Sequence, residues 1–159
     1  MPQPAFERKL CPPGELAARV AQLPRPRVFT NGCFDILHRG HVTYLAEARA
    51  LGASLIVGVN SAASGRRQGR GDDRPINRLE DRMALLAALE SVSLVVGFDT
   101  DTPFDLILAI RPDVLVKGGD WRIENIVGAK EVMGWGGSVH SIPFQHHTST
   151  TALLGKIRL

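Results

Sequence analysis

Two histidines, His38 and His41, stand three residues apart just after the short apolar run Val28-Phe29 and a turn that contains Gly32. Residues three apart lie on one face of a helix. A strand followed by a glycine turn and a helix start presents unpaired backbone N–H groups and the positive end of the helix dipole. Two imidazoles at such a point indicate a bound phosphate chain.

The same histidine pair has two simpler interpretations. The rings could only cap or pack a helix, or they could be half of a transition-metal site. A metal site would need more ligands, and the remaining histidines, His140, His146 and His147, lie far along the chain without cysteine or glutamate at ligand spacing. The phosphate interpretation is therefore preferred.

Residues 38–41, which read His-Arg-Gly-His, resemble the HxGH signature of the cytidylyltransferase-like nucleotidyltransferases. Residues 57–61, 74–82, 112–120 and 149–151 resemble the branch of that family that adenylylates a heptose 1-phosphate. The resemblance runs from about residue 27 to the C-terminus. It implies an adenylyltransferase that converts D-glycero-D-manno-heptose 1-phosphate and ATP to ADP-heptose and pyrophosphate, a step toward the lipopolysaccharide core, in the form that is not fused to a sugar kinase.

The resemblance also implies a role for particular residues. His38, His41 and Lys117 are the expected catalytic groups, and Gly40 lets the backbone approach the phosphates. The expected nucleotide-binding residues are Thr30, Asn31, Gly32, Phe34, Gly40, Gly119, Asp120, Ser149, Thr150 and Thr151. The expected acceptor contacts are Asp35, Asn60, Arg70 and Arg82, with Arg70 the candidate replacement for a lysine that relatives carry in the basic loop 64–74.

The expected partners are ATP, a sugar 1-phosphate and further copies of the chain. Magnesium is expected to arrive on the nucleotide phosphates, since it prefers phosphate oxygens and water to a protein cage. Nucleic acid is not expected, because 19 Lys and Arg against 16 Asp and Glu give a net charge of only +3. A membrane segment is not expected either, since no apolar run approaches the roughly 18 residues that a span needs.

The N-terminal residues mix proline, glutamine and charged side chains without an apolar core, so no secretory signal is visible and a cytoplasmic location is expected. The two cysteines, Cys11 and Cys33, are then expected to be free thiols. Cys33 could be a nucleophile, but no base and third group accompany it. A small buried filler is the preferred interpretation.

Five apolar, β-rich runs alternate with segments that can form helices, which is typical of a parallel sheet covered on both faces. The runs are residues 28–29, 55–59, 94–98, 114–116 and 139–142. The predicted fold is α/β: one Rossmann-like, doubly wound, five-stranded parallel sheet, with strand order 3-2-1-4-5 implied by the resemblance. Residues 1–26 are predicted to be an N-terminal helical extension and residues 27–159 the nucleotidyltransferase domain.

In such a sheet, ligands bind beyond the carboxyl ends of the strands where strand order reverses. That point lies between the first and fourth predicted strands, which end at residues 30–32 and 117–120. Two alternatives remain: a CTP-dependent enzyme such as a glycerol-phosphate cytidylyltransferase, and a nucleotide-binding regulator without activity. The intact histidine pair and Lys117 argue against the regulator.

Overall fold

The computed structural model describes residues 2–67, 74–145 and 149–158, and it has a six-stranded parallel sheet with helices on both faces. The strands are β1 (Leu10–Cys11), β2 (Arg27–Gly32), β3 (Ser54–Asn60), β4 (Leu94–Phe98), β5 (Val114–Gly118) and β6 (Ser138–Ile142). The helices are α1 (Leu16–Ala21), α2 (Arg39–Arg49), α3 (Ala62–Arg67), α4 (Leu79–Ala87), α5 (Phe104–Ile110), α6 (Ala129–Gly134) and α7 (Thr150–Ile157), with short 3-10 turns at Ala5–Lys9, Pro13–Glu15 and Ile123–Asn125.

The predicted strand order is correct, but the predicted count of five strands is wrong. The order across the sheet is β1-β4-β3-β2-β5-β6, so the five expected strands follow the expected sequence and one more joins the edge beside β4. This strand pairs Leu10 with Val95 and Cys11 with Val96. A two-residue strand leaves no alternating pattern in the sequence, which is why a segment expected to be only helical also contributes to the sheet.

The core forms two apolar layers, one on each face of the sheet. One layer joins Val28, Val57 and Val95 to Leu45 of α2 and Leu86 of α4. The other layer joins Phe29, Ile56, Val96 and Leu115 of the strands to Ile107 of α5 and Val132 of α6. Since both faces are covered, β3 is buried along its whole length, as a central parallel strand should be.

Helices α7 and α4 differ in how their first turns are capped. Ser149 caps α7, and its Oγ accepts a hydrogen bond from the backbone N–H of Ala152 at 3.0 Å. Asn77 and Glu80 have the spacing of a capping box, but α4 begins at Leu79 with Arg78 as its N-cap and without a capping hydrogen bond from a side chain. The Asn77 side chain instead donates to the carbonyl of Asp35 at 2.8 Å. A tertiary contact therefore replaces a local cap.

Strand order reverses between β2 and β5, which pair in register at Val28 with Val114 and at Phe29 with Leu115. The loop that follows β2 and the turn that follows β5 leave the sheet side by side. They form the walls of the cleft described next. Within the described residues, no helix is both long and apolar enough to cross a membrane.

Candidate active site

A cleft of about 670 Å³ opens beyond the carboxyl ends of β2 and β5. Three segments form it: the loop from β2 to α2, the end of β5, and the start of α7. Its lining residues are Asn31, Gly32, Cys33, Phe34, Asp35, His38, His41, Tyr44, Arg74, Lys117, Gly118, Phe144, Ser149, Thr150 and Thr151. Most of the residues that the sequence singled out therefore meet at one place, although they are spread over more than a hundred positions of the chain.

His38 and His41 form a stacked pair in this cleft. Their ring centroids are 3.7 Å apart with an interplanar angle of 23°, and the edge of the His41 ring contacts Phe34 at a centroid distance of 5.3 Å. The Nδ1 atoms of both histidines are buried and have no hydrogen-bond partner among the described residues. Two polar atoms that burial leaves unsatisfied at the start of α2 indicate that a ligand completes this site.

Burial controls the charge of the histidine pair. Desolvation, with a smaller contribution from the charge of His38, lowers the pKa of His41 to about 4. Desolvation also lowers the pKa of His38. Without a ligand His41 is therefore a neutral imidazole near pH 7. A phosphate chain beside the pair would raise both pKa values, since an opposite charge favours the protonated form.

The last residue of β2, Gly32, must be a glycine for a steric reason. A Cβ added at Gly32 would lie 2.9 Å from the Phe34 ring. Phe34 itself is buried and has a left-handed backbone with φ of 51°, which is rare for a bulky residue. Backbone strain of this kind is concentrated at binding sites. The close packing of Gly32, Phe34 and His41 fixes the shape of the cleft wall.

Thr30 lies behind this wall and not in it. It is fully buried, and its hydroxyl lies 2.5 Å from the hydroxyl of Tyr44, which also donates to the carbonyl of Val116 at 3.4 Å. Burial raises the pKa of Tyr44 to about 12 although the contact with Thr30 lowers it. Tyr44 therefore ties β2 to β5 as a neutral phenol. Gly40, in the first turn of α2, is buried and does not line the cleft.

Lys117 stands on the opposite wall, at the end of β5. Its Nζ lies 5.0 Å from the centroid of the Trp121 ring, a distance at which a cation and an aromatic face attract. The indole of Trp121 donates to the carbonyl of Gly118 at 3.1 Å. Gly119 has a φ of 111°, which favours glycine, and a Cβ there would lie 3.0 Å from the Trp121 ring nitrogen. Gly119 and Asp120 do not line the cleft.

The start of α7 supplies the third wall. Ser149 caps the helix, and Thr150 donates to the carbonyl of Ile36 at 3.2 Å, which joins α7 to the loop after β2. The hydroxyl of Thr151 accepts a hydrogen bond from Nη1 of Arg74 at 3.4 Å. Two helices, α2 and α7, thus begin at the cleft, and the positive ends of their dipoles attract anions there.

Asp35 holds a loop in place. Its buried carboxylate accepts hydrogen bonds from the backbone N–H groups of Ile76 at 2.8 Å and Asn77 at 3.0 Å, and from Nε of Arg74 at 2.9 Å. Desolvation raises the pKa of Asp35, but these hydrogen bonds and the charge of Arg74 outweigh it, and the pKa is lowered overall. Both carboxylate oxygens of Asp35 accept hydrogen bonds from the protein. Asp35 therefore lines the cleft and anchors the segment that contains Arg74, Ile76 and Asn77.

Arg82 and Asn60 lie under the cleft. The Arg82 side chain is fully buried, and it donates to the carbonyls of Cys33 at 3.0 Å, Asn60 at 2.8 Å and Asn77 at 3.0 Å. Nη2 of Arg82 and Oδ1 of Asn60 have no hydrogen-bond partner among the described residues. Neither residue lines the cleft. Arg82 connects the loop after β2, the end of β3 and the segment before α4, and the acceptor contact expected for it stays a prediction.

The basic loop is described only in part. Arg70, the expected acceptor contact, and His146 and His147 lie outside the described residues, as does most of the basic loop 64–74. Arg74, at the far end of this loop, does line the cleft. Among the parts of the chain that the structure describes, no group of three or more His, Cys, Asp or Glu side chains is placed to hold a metal ion.

Several residues that line the cleft have no site role in the sequence predictions, namely Cys33, Tyr44, Gly118 and Phe144, and Arg74 has one only as part of the basic loop. Cys33 is buried, in agreement with the prediction of a small buried filler. Tyr44 could have been found, because it lies three residues after His41 on the same helix face. Phe144 could not have been found from the sequence, because it lies in an irregular segment 110 positions after Phe34 of the opposite wall. Only the fold places it beside Gly118 of β5.

Comparison with known proteins agrees with this geometry. The sequence profile of the cytidylyltransferase-like family matches residues 29–153. The chain belongs to the cytidylyltransferase-like family. The matched range contains the histidine pair, Lys117 and the start of α7, and it leaves β1 and α1 outside.

Individual relatives are similar over most of this chain. It is 56% identical over 155 residues to the D-beta-D-heptose 1-phosphate adenylyltransferase of Bordetella bronchiseptica, covering 96% of both proteins. It is also 56% identical over 131 residues to the Bifunctional protein HldE of Pseudomonas paraeruginosa, but it spans only 27% of that longer protein. The crystal structure of the lipopolysaccharide core biosynthesis protein from Thermoplasma volcanium superposes with a TM-score of 0.61 at 27% identity, covering 77% of this chain and 98% of that one.

Proposed function

We propose that this chain transfers the adenylyl group of ATP to a heptose 1-phosphate, which gives ADP-heptose and pyrophosphate for synthesis of the lipopolysaccharide core. The observation that carries the proposal is the 56% identity over 96% of both chains with an enzyme named for this reaction. The phosphate-binding character of the cleft supports it. The comparisons give no support to the cytidylyltransferase and regulator alternatives.

The reaction needs positioning and electrostatic stabilisation more than covalent chemistry. A phosphate oxygen of the sugar attacks the α-phosphorus of ATP in line with the departing pyrophosphate. The attacking oxygen is already ionised, so no general base is required. This agrees with a cleft in which no described side chain forms a nucleophile with an adjacent base and orienting group.

His38 and His41 contact the triphosphate and stabilise the charge that develops during transfer. Both rings are held by stacking, and both have a buried Nδ1 that the protein leaves unsatisfied. Their low pKa values keep the empty site from carrying two adjacent buried cations, and the arriving triphosphate favours their protonation. The pair therefore supplies hydrogen bonds and positive charge when the substrate is present.

Lys117 holds a phosphate from the opposite wall, and the starts of α2 and α7 bind the remaining oxygens through their backbone N–H groups. Asn31, Gly32, Phe34 and the Ser149 to Thr151 turn complete the nucleotide site. Gly119 and Asp120 lie just beyond the lining residues, beside the nucleotide. Asp35, Asn60 and Arg82 act on the acceptor side by fixing the loops, with Arg70 as the acceptor contact.

Magnesium enters on the nucleotide. It neutralises the phosphate charge and prefers phosphate oxygens and water. We also propose that the enzyme works in the cytoplasm, where ATP is supplied, and that it forms a homo-oligomer.

The test is a panel of pyrophosphate-release assays. ATP, CTP and GTP are each combined with heptose 1-phosphate, heptose 7-phosphate and glycerol 3-phosphate, with magnesium present throughout. We expect release only with ATP and heptose 1-phosphate. Release with CTP and glycerol 3-phosphate would support the cytidylyltransferase alternative, and binding of ATP without release from any acceptor would support the regulator.

A further inference from the structure

Arg74 joins three segments of the cleft. Its Nε donates to the carboxylate of Asp35 at 2.9 Å, and its Nη1 donates to the hydroxyl of Thr151 at 3.4 Å. Its side chain is 13% exposed and that of Asp35 is 1% exposed. A guanidinium group is thus held at the edge of a phosphate-binding cleft between the loop after β2 and the start of α7.

The loop that contains Ile76 and Asn77 is anchored to Asp35 without the help of the Arg74 side chain. Asp35 already accepts hydrogen bonds from the backbone N–H groups of Ile76 and Asn77, and Asn77 donates in return to the Asp35 carbonyl. These bonds fix the backbone without the Arg74 side chain. The guanidinium nevertheless points at the cleft and not at solvent, which indicates a further role.

The geometry leaves donors for a ligand. The contacts with Asp35 and Thr151 use two of the five N–H groups of a guanidinium. The contact with Thr151, at 3.4 Å, is near the limit of a hydrogen bond, so an anion can replace it at small cost. A planar guanidinium held by a buried carboxylate is well suited to bind a phosphate through two parallel hydrogen bonds.

We propose that Arg74 binds the pyrophosphate portion of ATP, and that Asp35 is the positioning residue that orients it. Thr151 and the start of α7, which favour anions, are its neighbours in the cleft, and pyrophosphate is the group on which negative charge develops. The proposal rests on the proposed function for the identity of the nucleotide, but not for the identity of the sugar.

The test measures binding of magnesium pyrophosphate by calorimetry, without sugar or ATP. Arg74→Gln should weaken binding by about 10- to 100-fold, the effect of removing a charge-assisted hydrogen bond. Arg74→Lys keeps the charge but loses the planar guanidinium, so its affinity for pyrophosphate should lie between those of the wild type and Arg74→Gln. Arg78→Gln is the matched control, because it removes the same charge from an exposed side chain whose ion-pair partners among the described residues are Asp81 and Glu80. The pyrophosphate affinity of this variant should equal that of the wild type.

A double-mutant cycle tests the role of Asp35. Asp35→Asn should weaken pyrophosphate binding in the wild type but add nothing in the Arg74→Gln background. An equal loss in both backgrounds would show that Asp35 does not act through Arg74. Unchanged binding by Arg74→Gln, or no binding by the wild type, would overturn the proposal. Normal binding and variant effects without turnover of heptose 1-phosphate would instead refute the proposed sugar substrate alone.

Discussion

The two ends of the sheet each carry charged loops and a cavity, but they differ in how their polar groups are satisfied. At the amino end, in a cavity of about 560 Å³, Asp113 accepts from Nε of Arg25 at 3.1 Å and from the backbone N–H of Arg27 at 2.8 Å. The Arg27 guanidinium donates to the carbonyls of Leu23 and Ala21. These charges bind each other and connect the chain segments that enter β2 and β5.

The carboxyl end is different, because protein groups leave several buried polar atoms there without a partner. Among the described residues, these atoms are Nδ1 of His38, Nδ1 of His41, Oδ1 of Asn60 and Nη2 of Arg82. An unsatisfied buried polar atom costs stability. The difference teaches that bonding distinguishes the two polar clusters. The paired cluster stabilises the fold, and the unpaired histidines, which line the cleft, indicate where a ligand binds.

The largest effect is expected for His41→Ala. Removing a donor aimed at developing charge should lower kcat by about 10²–10³. The melting temperature should not fall, because the substitution also removes an unsatisfied buried Nδ1. Turnover is measured by pyrophosphate release, and stability by thermal unfolding. If turnover stays near normal, or the variant unfolds, the proposed difference between the two ends is wrong.

A smaller loss of activity is expected for Lys117→Met. It should lower kcat/KM by about 10- to 100-fold, since one charged phosphate contact is lost. Lys117→Arg should recover only part of this, because a planar guanidinium does not fit the position of a compact ammonium. Steady-state kinetics with ATP varied at saturating acceptor measure the effect. Equal kcat/KM in all three proteins would remove Lys117 from the site.

The opposite result is expected at the amino end. Asp113→Ala leaves Arg25 and the backbone N–H of Arg27 without their acceptor, so we expect a loss of about 1–3 kcal/mol in the free energy of unfolding. Chemical denaturation measures it, and kcat/KM should match the wild type in the same preparation. A variant of normal stability with impaired turnover would reverse the assignment of the two ends.

The fourth expected effect concerns pH. The pKa of His41 is about 4 in the folded protein against an ordinary value of 6.5, so the unfolded chain binds the proton more readily between these values. Stability should therefore fall as pH drops from about 6.5 to 4. Thermal unfolding across this range should show a shallower fall for His41→Asn than for the wild type. Parallel curves would mean that burial of His41 does not disfavour its protonation.

The sequence predicted the position of the site because two independent signals, the spacing of His38 and His41 and the switch in strand order, indicate the same strand ends. It also assigned Thr30 and Arg82 to the site, whereas the structure places both residues outside the lining of the cleft. Thr30 of β2 contacts Tyr44 of α2, and Arg82 reaches three backbone carbonyls from beneath the cleft. Such contacts depend on tertiary packing, which local patterns do not encode.

The short strand β1 has a consequence for how the chain can be shortened. It covers the outer edge of β4 through Leu10 and Cys11, although it lies outside the residues 29–153 that match the family profile. A protein begun at residue 27 would keep the cleft but leave the backbone N–H and C=O groups of β4 open to pairing with another molecule. The N-terminal segment thus protects the outer edge of β4 from pairing with another molecule, although it contributes no residue to the lining of the cleft.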